Sequence, residues 1–296
     1  MAGWDEILRE IQTTPGNFDV VRRKYIHNLF ELTGRNVIAY YSGFLTKSTA
    51  PNTDINDGDM SGFMNALKDI DTSKGLDLIM HTPGGSPTAA ESIVKYLRTK
   101  FNSDIRIIVP HMAMSAGTMI ACAGKEIIMG KHSSLGPIDP QLNGIPAYDI
   151  LNMFTQARAE LTNDPKLLTY WKLLLEKYPA PLMYRALSAI NLSSDLVKEW
   201  LGTCMFNGTV KEDAIKITQI EKALNEHQDS KAHDRHFDII KCKKIGLKII
   251  DLEADQELQD AILSLHHAYI FTLDQTNTVK IIENHDGKAM ISLVKT

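Results

Sequence analysis

Between residues 76 and 130 the chain alternates two patterns of apolar and polar positions. Short continuous apolar runs, LDLIM at 76–80, DIRIIVP at 104–110 and EIIMG at 126–130, read as strands buried on both faces. Between them lie TAAESIVKYLRTKF and SAGTMIACAG, helical in pattern and entered through the short turns HTPGGSP and HMAM. Strand, turn and helix in repeated succession predict parallel strands joined by right-handed crossovers.

The same reading extends outward. Helical spacing from Trp4 to Leu32 predicts one helix or two, stopped by Gly34 before the strand-like run NVIAYYSGFL. The polar stretch at 48–60 reads as a loop, and a helix is expected at 61–70. Beyond Gly130 comes the turn-rich KHSSLGPIDPQLNGIP, then helical patterns over Ala147 to Trp200 and Val210 to His227. HDRHFDIIKCKKIGLKII predicts a helix feeding a short strand, and the last stretch, HAYIFTLDQTNTVKIIENHDGKAMISLV, one or two strands. No linker rich in Pro, Gly or Ser divides the chain. The expected division is an N-terminal helical segment (1–33), a core (34–215) and a C-terminal extension of helices and short strands (216–296).

Composition narrows the function. With 296 residues, 44% of them hydrophobic, the chain can bury a large core. A net charge of -4 provides no basic field, so neither nucleic acid nor an anionic membrane is an expected partner. Cys122, Cys204 and Cys242 lack metal-ligand spacing and form no disulfide framework, which fits a reducing, cytoplasmic setting. The opening MAGWDEILREIQ carries acids early and does not read as a signal peptide, and no apolar run approaches the ~20 residues of a membrane span. No metal and no cofactor are expected.

Two turns carry candidate chemistry. In HTPGGSP the adjacent Gly84 and Gly85 permit positive φ and leave backbone N–H groups unshielded, which suits an oxyanion hole as well as a simple turn. It is neither a dinucleotide fingerprint nor a P-loop. One unit later, HMAMSAGTM puts Ser115 where a strand turns into a helix. If the turns lie side by side, the Gly85 and Ala116 N–H groups could face a carbonyl attacked by Ser115, with the helix N-terminus adding partial positive charge. Ser115 can equally be a helix cap in a close-packing SAG sequence.

The two turns together, with the LGPIDPQL segment that follows, resemble the Clp protease and signal peptide peptidase A superfamily, most nearly its serine dehydrogenase proteinase family. The motifs that carry this are IMHTPGGSPTAAESI and IIVPHMAMSAGTMIACAGKEIIMGKHSSLGPIDPQL, and HDRHFDIIKCKKIGL is similar to that family's C-terminal region. The resemblance covers most of residues 36 to 250. It implies the α/β Clp/crotonase fold, a superhelix of repeated ββα units with additional helices, assembled into trimers, tetramers or rings. It also implies a peptide or protein substrate.

A serine nucleophile needs a base. Clp peptidases supply a histidine, but Pro137 falls at the corresponding place. Signal peptide peptidases supply a lysine kept neutral by burial. The helix DPKLLTYWKLLLEKYP offers Lys166, Lys172 and Lys177, and winding it about Trp171 leaves Lys172 nearest the apolar arc, about 100° from its centre. A lysine at a comparable distance beyond PAYDI follows from the resemblance as well. His132 is the alternative. Ser86, Met114, His132, Ser133, Ser134 and Asp139 are candidate lining residues, while His81 and His111 end strands beside the turns. His233 and His236 match a family motif, and metal ligation by them is not expected.

Three readings follow. The first is a serine peptidase or related acyl hydrolase with Ser115 and Lys172 as a dyad and Gly84, Gly85 and Ala116 as the oxyanion site. The second is a catalytically silent oligomeric interaction module. The third is a crotonase-type acyl-CoA enzyme, for which Ser115 is dispensable.

Overall fold

The computed structural model describes residues 3–15, 17–225 and 235–294. At its centre β1 (Asn36–Ser42), β2 (Leu76–His81), β3 (Ile105–Val109) and β5 (Glu126–Met129) run parallel and side by side. Successive side chains of a strand point to opposite faces. Leu76, Leu78 and Met80 therefore enter one core, while Ile79 joins Val37, Ala39 and Tyr41 in the other. Both faces are apolar because both are covered. α3 (Asp59–Ala66), α4 (Pro87–Phe101) and α5 (Ala116–Cys122) pack on the first, and α1 (Trp4–Thr13) and α2 (Asn17–Thr33) on the second.

Short strands branch from the ends of the central ones. β4 (Met112–Ala113), which follows β3, pairs in parallel with β6 (Ser134–Leu135), which follows β5. Thr82, just past β2, bridges Ala113, and Leu135 bridges Phe237. These are the repeated strand–strand–helix units of the expected Clp-type α/β fold, and the small second layer sets the two candidate turns against each other.

The expected division at 215 does not separate two bodies. The C-terminal segment supplies three of the seven strands of the main sheet. β9 (Ile249–Asp251) extends it parallel to β5, while β10 (Thr278–Asn284) lies antiparallel to β1 with β11 (Ala289–Leu293) outside it. Buried ion pairs tie β10 down: Lys280 Nζ lies 2.7 Å from Asp59, and Arg22 lies 2.5 Å from Glu283, to which Tyr269 also donates at 3.0 Å. Removing one partner would strand a buried charge, so the pairs specify this closure. The stretch HAYIFTLDQ, read with the terminal strands, lies in the helix α11 (Gln256–Gln275), which follows α9 (Lys211–Asn225) and α10 (Ile239–Ile245). Asp255 caps it, accepting from the Leu258 N–H at 3.0 Å. Packing on the second face overrides the strand preference of its aromatic and β-branched residues. The N-terminal helices occupy the same face.

Residues 147–200 form a helical arm of α6 (Ala147–Asn163), α7 (Leu168–Leu175) and α8 (Leu182–Trp200). Its outer part has its own small core around Ile150, Leu182, Ala186 and Ile190. Trp171 is the one buried residue of α7, where Leu168, Tyr170 and Leu173 are exposed.

Candidate active site

The backbone builds this site. Ser115 stands at φ 50°, ψ −116° immediately before α5, outside the region an ordinary N-cap adopts, and its side chain makes no capping bond. A non-glycine residue held there is strained by about 1–3 kcal/mol and persists only where its surroundings over-determine it. They do. Met114 N–H donates to Thr82 O at 3.0 Å, Gly117 N–H to Met114 O at 2.8 Å, and Met119 N–H to Ser115 O at 3.1 Å. The cap reading of Ser115 is therefore set aside: it is a serine on a tight elbow, partly exposed, in front of a buried helix.

The glycine turn lies directly against this elbow. Gly84 has φ 97°, and a Cβ there would meet Met114 O at 2.6 Å, Ser115 Cβ at 2.7 Å and Ala116 N at 3.1 Å. Gly85 has φ 151°, and a Cβ there would lie 2.3–2.4 Å from the Ile55 backbone O and N. Ile55 bridges this turn, its N–H donating to Gly84 O at 2.7 Å and its carbonyl accepting from Ser86 N–H at 2.8 Å. Gly84 N–H is engaged by the Thr82 hydroxyl at 3.1 Å, so Gly84 acts as a spacer and not as a donor. The Gly85 and Ala116 N–H groups take part in none of the turn hydrogen bonds. α5 has seven residues, so these N–H groups, and not a helix dipole, are what the turn can offer a developing negative charge.

A cavity of about 450 Å³ opens over Ser115, Gly84 and Gly85. Its far walls are Ile138, Pro140, Gln141 and Leu142 from the LGPIDPQL segment and Leu192 and Ser193 from α8. The wall is clamped to the elbow by the fully buried Thr118 hydroxyl, which lies 2.8 Å from Ala113 O and 2.9 Å from Gly136 O and accepts from Gly136 N–H at 3.0 Å. Asp54 and Gln141, both exposed, and Ser193, buried with a hydroxyl lacking a hydrogen-bond partner, are the polar side chains sequence reading missed. Ser193 carries no local motif. It is found only once α8 is seen to cross the site.

None of the six side chains expected to line the site is among those lining this cavity. Ser86 instead caps α4, accepting from Ala89 N–H at 3.2 Å. Met114 packs its sulfur and terminal methyl against Gly136. Ser134 bonds His236 at 2.9 Å, and its neighbour Ser133 accepts from Gly130 N–H at 2.9 Å. Asp139 is fully buried between two lining residues but is not itself one of them. His132 lies 3.9 Å from Glu253 and, like His81 and His111, opens on a different cavity. His233 lies outside the described residues. No group of three or more His, Cys, Asp or Glu in a metal-holding arrangement occurs among the described residues, and no described helix is long and apolar enough to cross a membrane.

The lysine base is not assembled. Burial was expected to keep Lys172 neutral, but its side chain is 69% exposed and lies 3.7 Å from Glu176, one turn along α7. Lys166 and Lys177 are exposed too, and none of the three lines the Ser115 cavity. The apolar arc around Trp171 is mostly half-buried, but its cover does not reach Lys172 at its edge.

Comparison with known proteins adds the family. The chain is 30% identical over 225 residues to one uncharacterised protein of Methanocaldococcus jannaschii, covering 76% of this chain and 68% of the relative. A second uncharacterised protein of that organism is 30% identical over 191 residues, covering 64% and 57%. The chain thus spans about two thirds of one relative's length and somewhat over half of the other's. Among solved structures, a mutant ClpP1 from Listeria monocytogenes matches with a TM-score of 0.39 at 13% identity, over 77% of this chain and 96% of that one. A mutant of a membrane-bound stomatin-specific protease matches with a TM-score of 0.38 at 18% identity, over 70% and 79%. The family described as ClpP-like SDH-type serine proteinase matches residues 22–289. With that match running from α2 through β10 to the start of β11, the chain belongs to the ClpP-like SDH-type serine proteinases.

Proposed function

We propose that the protein is a serine hydrolase acting on peptides, with Ser115 as nucleophile and the Gly85 and Ala116 N–H groups as oxyanion donors. The observation that carries this is the backbone of Ser115, held at φ 50° with its hydroxyl released from capping duty, directly against Gly84. In the first step Ser115 Oγ bonds to the substrate carbonyl carbon, its proton passes to a base, and the amine leaves with that proton. Water then attacks the acyl-enzyme by the same route. The two N–H groups stabilise the oxygen that carries negative charge in both steps.

Lys172 is the proposed base, and this requires the arm to close. Catalytic contacts are often unmade without substrate, and closing segments commonly complete a site. Two features support movement here: the arm's own core is small, and α8 already forms a wall of the Ser115 cavity. Assembly of copies would favour the closed position. Tyr184 and Leu187 of α8 and Leu168, Tyr170 and Leu173 of α7 are exposed apolar side chains that contact between copies would cover.

A fluorophosphonate probe tests the nucleophile directly. Labelling is expected at Ser115 and absent in Ser115→Ala; an intact, folded protein that takes no label would leave the silent-module reading standing. Light scattering tests assembly, with a monomer at all concentrations as the contrary result.

A further inference from the structure

On the other face of the sheet, at the carboxyl ends of β1, β2 and β3, lies a second cavity of about 470 Å³ that shares no lining residue with the Ser115 cavity. Five of the chain's ten histidines line it: His81, His111, His132, His266 and His267. The His81 and His111 rings stand nearly parallel, 13° apart with centroids at 5.4 Å, and the His266 ring meets His81 edge-on at 5.5 Å. The remaining walls are largely apolar, and no Lys, Arg, Asp or Glu lines the space.

Three of the five imidazoles, His81, His111 and His266, are held neutral by burial. Burial, with the neighbouring His111, holds His81 down to about 3, and burial likewise lowers His266 and His111. The cavity lining offers an anion no Lys or Arg, and an organic cation no carboxylate. A neutral imidazole offers instead one N–H donor, one lone pair and two flat faces. His266 engages Nδ1 with the Tyr41 hydroxyl at 3.2 Å. His81 is 1% exposed, and its Nδ1 has no hydrogen-bond partner, a state rare for a buried polar atom. A metal ion fits less well, because near-parallel rings do not converge on one ion and no metal-holding group occurs among the described residues.

We propose that this cavity is a binding site for a neutral, flat nitrogen heteroaromatic of one or two fused rings, stacked on the histidine faces and hydrogen-bonded by their ring nitrogens. The volume lies within the range of small-molecule sites, and carboxyl ends of parallel strands are where open α/β sheets take ligands. Nothing in this assignment depends on Ser115 being catalytic.

Calorimetric titration of the full chain with benzimidazole, and separately with benzimidazole carboxylate and zinc chloride, tests it. Benzimidazole is expected to saturate one site, with the carboxylate at least about tenfold weaker. His111→Phe, which removes ring nitrogens from a half-buried position, and Ile270→Trp, which fills the space, should each weaken benzimidazole about tenfold or more. Thermal unfolding verifies the fold of each variant, and if His111→Phe fails to fold, Ile270→Trp still decides. The proposal falls if benzimidazole does not saturate, if both folded variants bind it unchanged, or if the carboxylate binds as tightly. Stoichiometric zinc binding lost in His111→Phe would replace it with a metal site.

Discussion

At the ends of β2 and β3 the same two segments of chain make one cavity out of backbone and another out of side chains. His81 and His111 turn to one face of the sheet, and within four residues of each the chain has formed the glycine turn and the Ser115 elbow on the other. Around Ser115 the groups proposed to act on substrate include main-chain N–H donors, in turns with positive φ at Gly84, Gly85 and Ser115 itself. In the second cavity they are imidazoles, two of them brought by α11 from more than 150 residues away in sequence. A site made of backbone leaves a local signature in sequence, whereas one made of converging side chains does not.

The sharpest test of the backbone-built half is Ser115→Ala, expected to remove hydrolysis by roughly 10⁶-fold in turnover, down to background, while leaving stability nearly unchanged. Retained hydrolysis would move the nucleophile elsewhere. Next comes Lys172→Met, expected to lower turnover by about 10²–10⁴-fold, as loss of a general base does. Since Lys172 is 69% exposed, its substitution should shift the unfolding midpoint negligibly, so a pure activity loss would mean that the arm closes over Ser115. Unchanged activity would remove it from the dyad.

Gly84→Ala should cost about 3 kcal/mol in denaturant unfolding, from positive φ together with contact on Ser115 and Met114. A cost under about 1 kcal/mol would show that the two turns are not locked together. Thr118→Val keeps the shape but orphans the Gly136 N–H, and should cost about 2 kcal/mol. Activity should fall with it if the clamp holds the cavity wall in place.

The histidine-built half should answer to pH instead. The unfolded chain takes up protons on histidine below about pH 6.5, while folded His81 resists them down to about 3 and His266 and His111 are also held low. The stability held by His81 is therefore complete above about pH 6.5 and falls by about 1.4 kcal/mol per pH unit as the pH drops from there toward 3, and His266 and His111 add to the fall in the same direction. His132, His267 and, beside His132, Glu253 also stand near these rings. His266→Phe should flatten the decline by about one group's share, measured by urea unfolding at several pH values. An unchanged slope would show that His266 is not held neutral.

Much of the core was legible before any coordinates. Apolar runs placed β2, β3 and β5, turn signals placed the glycine turn and the elbow, and the resemblance carried by these motifs named the fold. Legibility failed for reasons particular to each residue. A helical wheel shows which face of α7 is apolar but not how far anything covers it, and Lys172, at the edge of that half-buried arc, stands in solvent. Ser86, Met114, Ser134 and Asp139 stand near the turns in sequence, but each is engaged elsewhere, in a cap, a packing contact, a hydrogen bond or a buried position. Strand β10 carried no sign of its partner, since β1 and the ion-pair partners of its charged side chains, such as Asp59 for Lys280, lie more than 200 residues away in sequence.

By itself, then, the sequence determined the alternation of strands and helices, the two glycine- and serine-bearing turns, and the family. Those depend on local periodicity and backbone freedom, which neighbouring residues encode. Tertiary structure alone decided between the two readings of Ser115, placing it in a strained elbow instead of a helix cap, left Gly84 a spacer beside the Gly85 and Ala116 N–H groups, and brought five histidines together on the opposite face. Those depend on which distant segments cover which surface, and no local pattern carries that information.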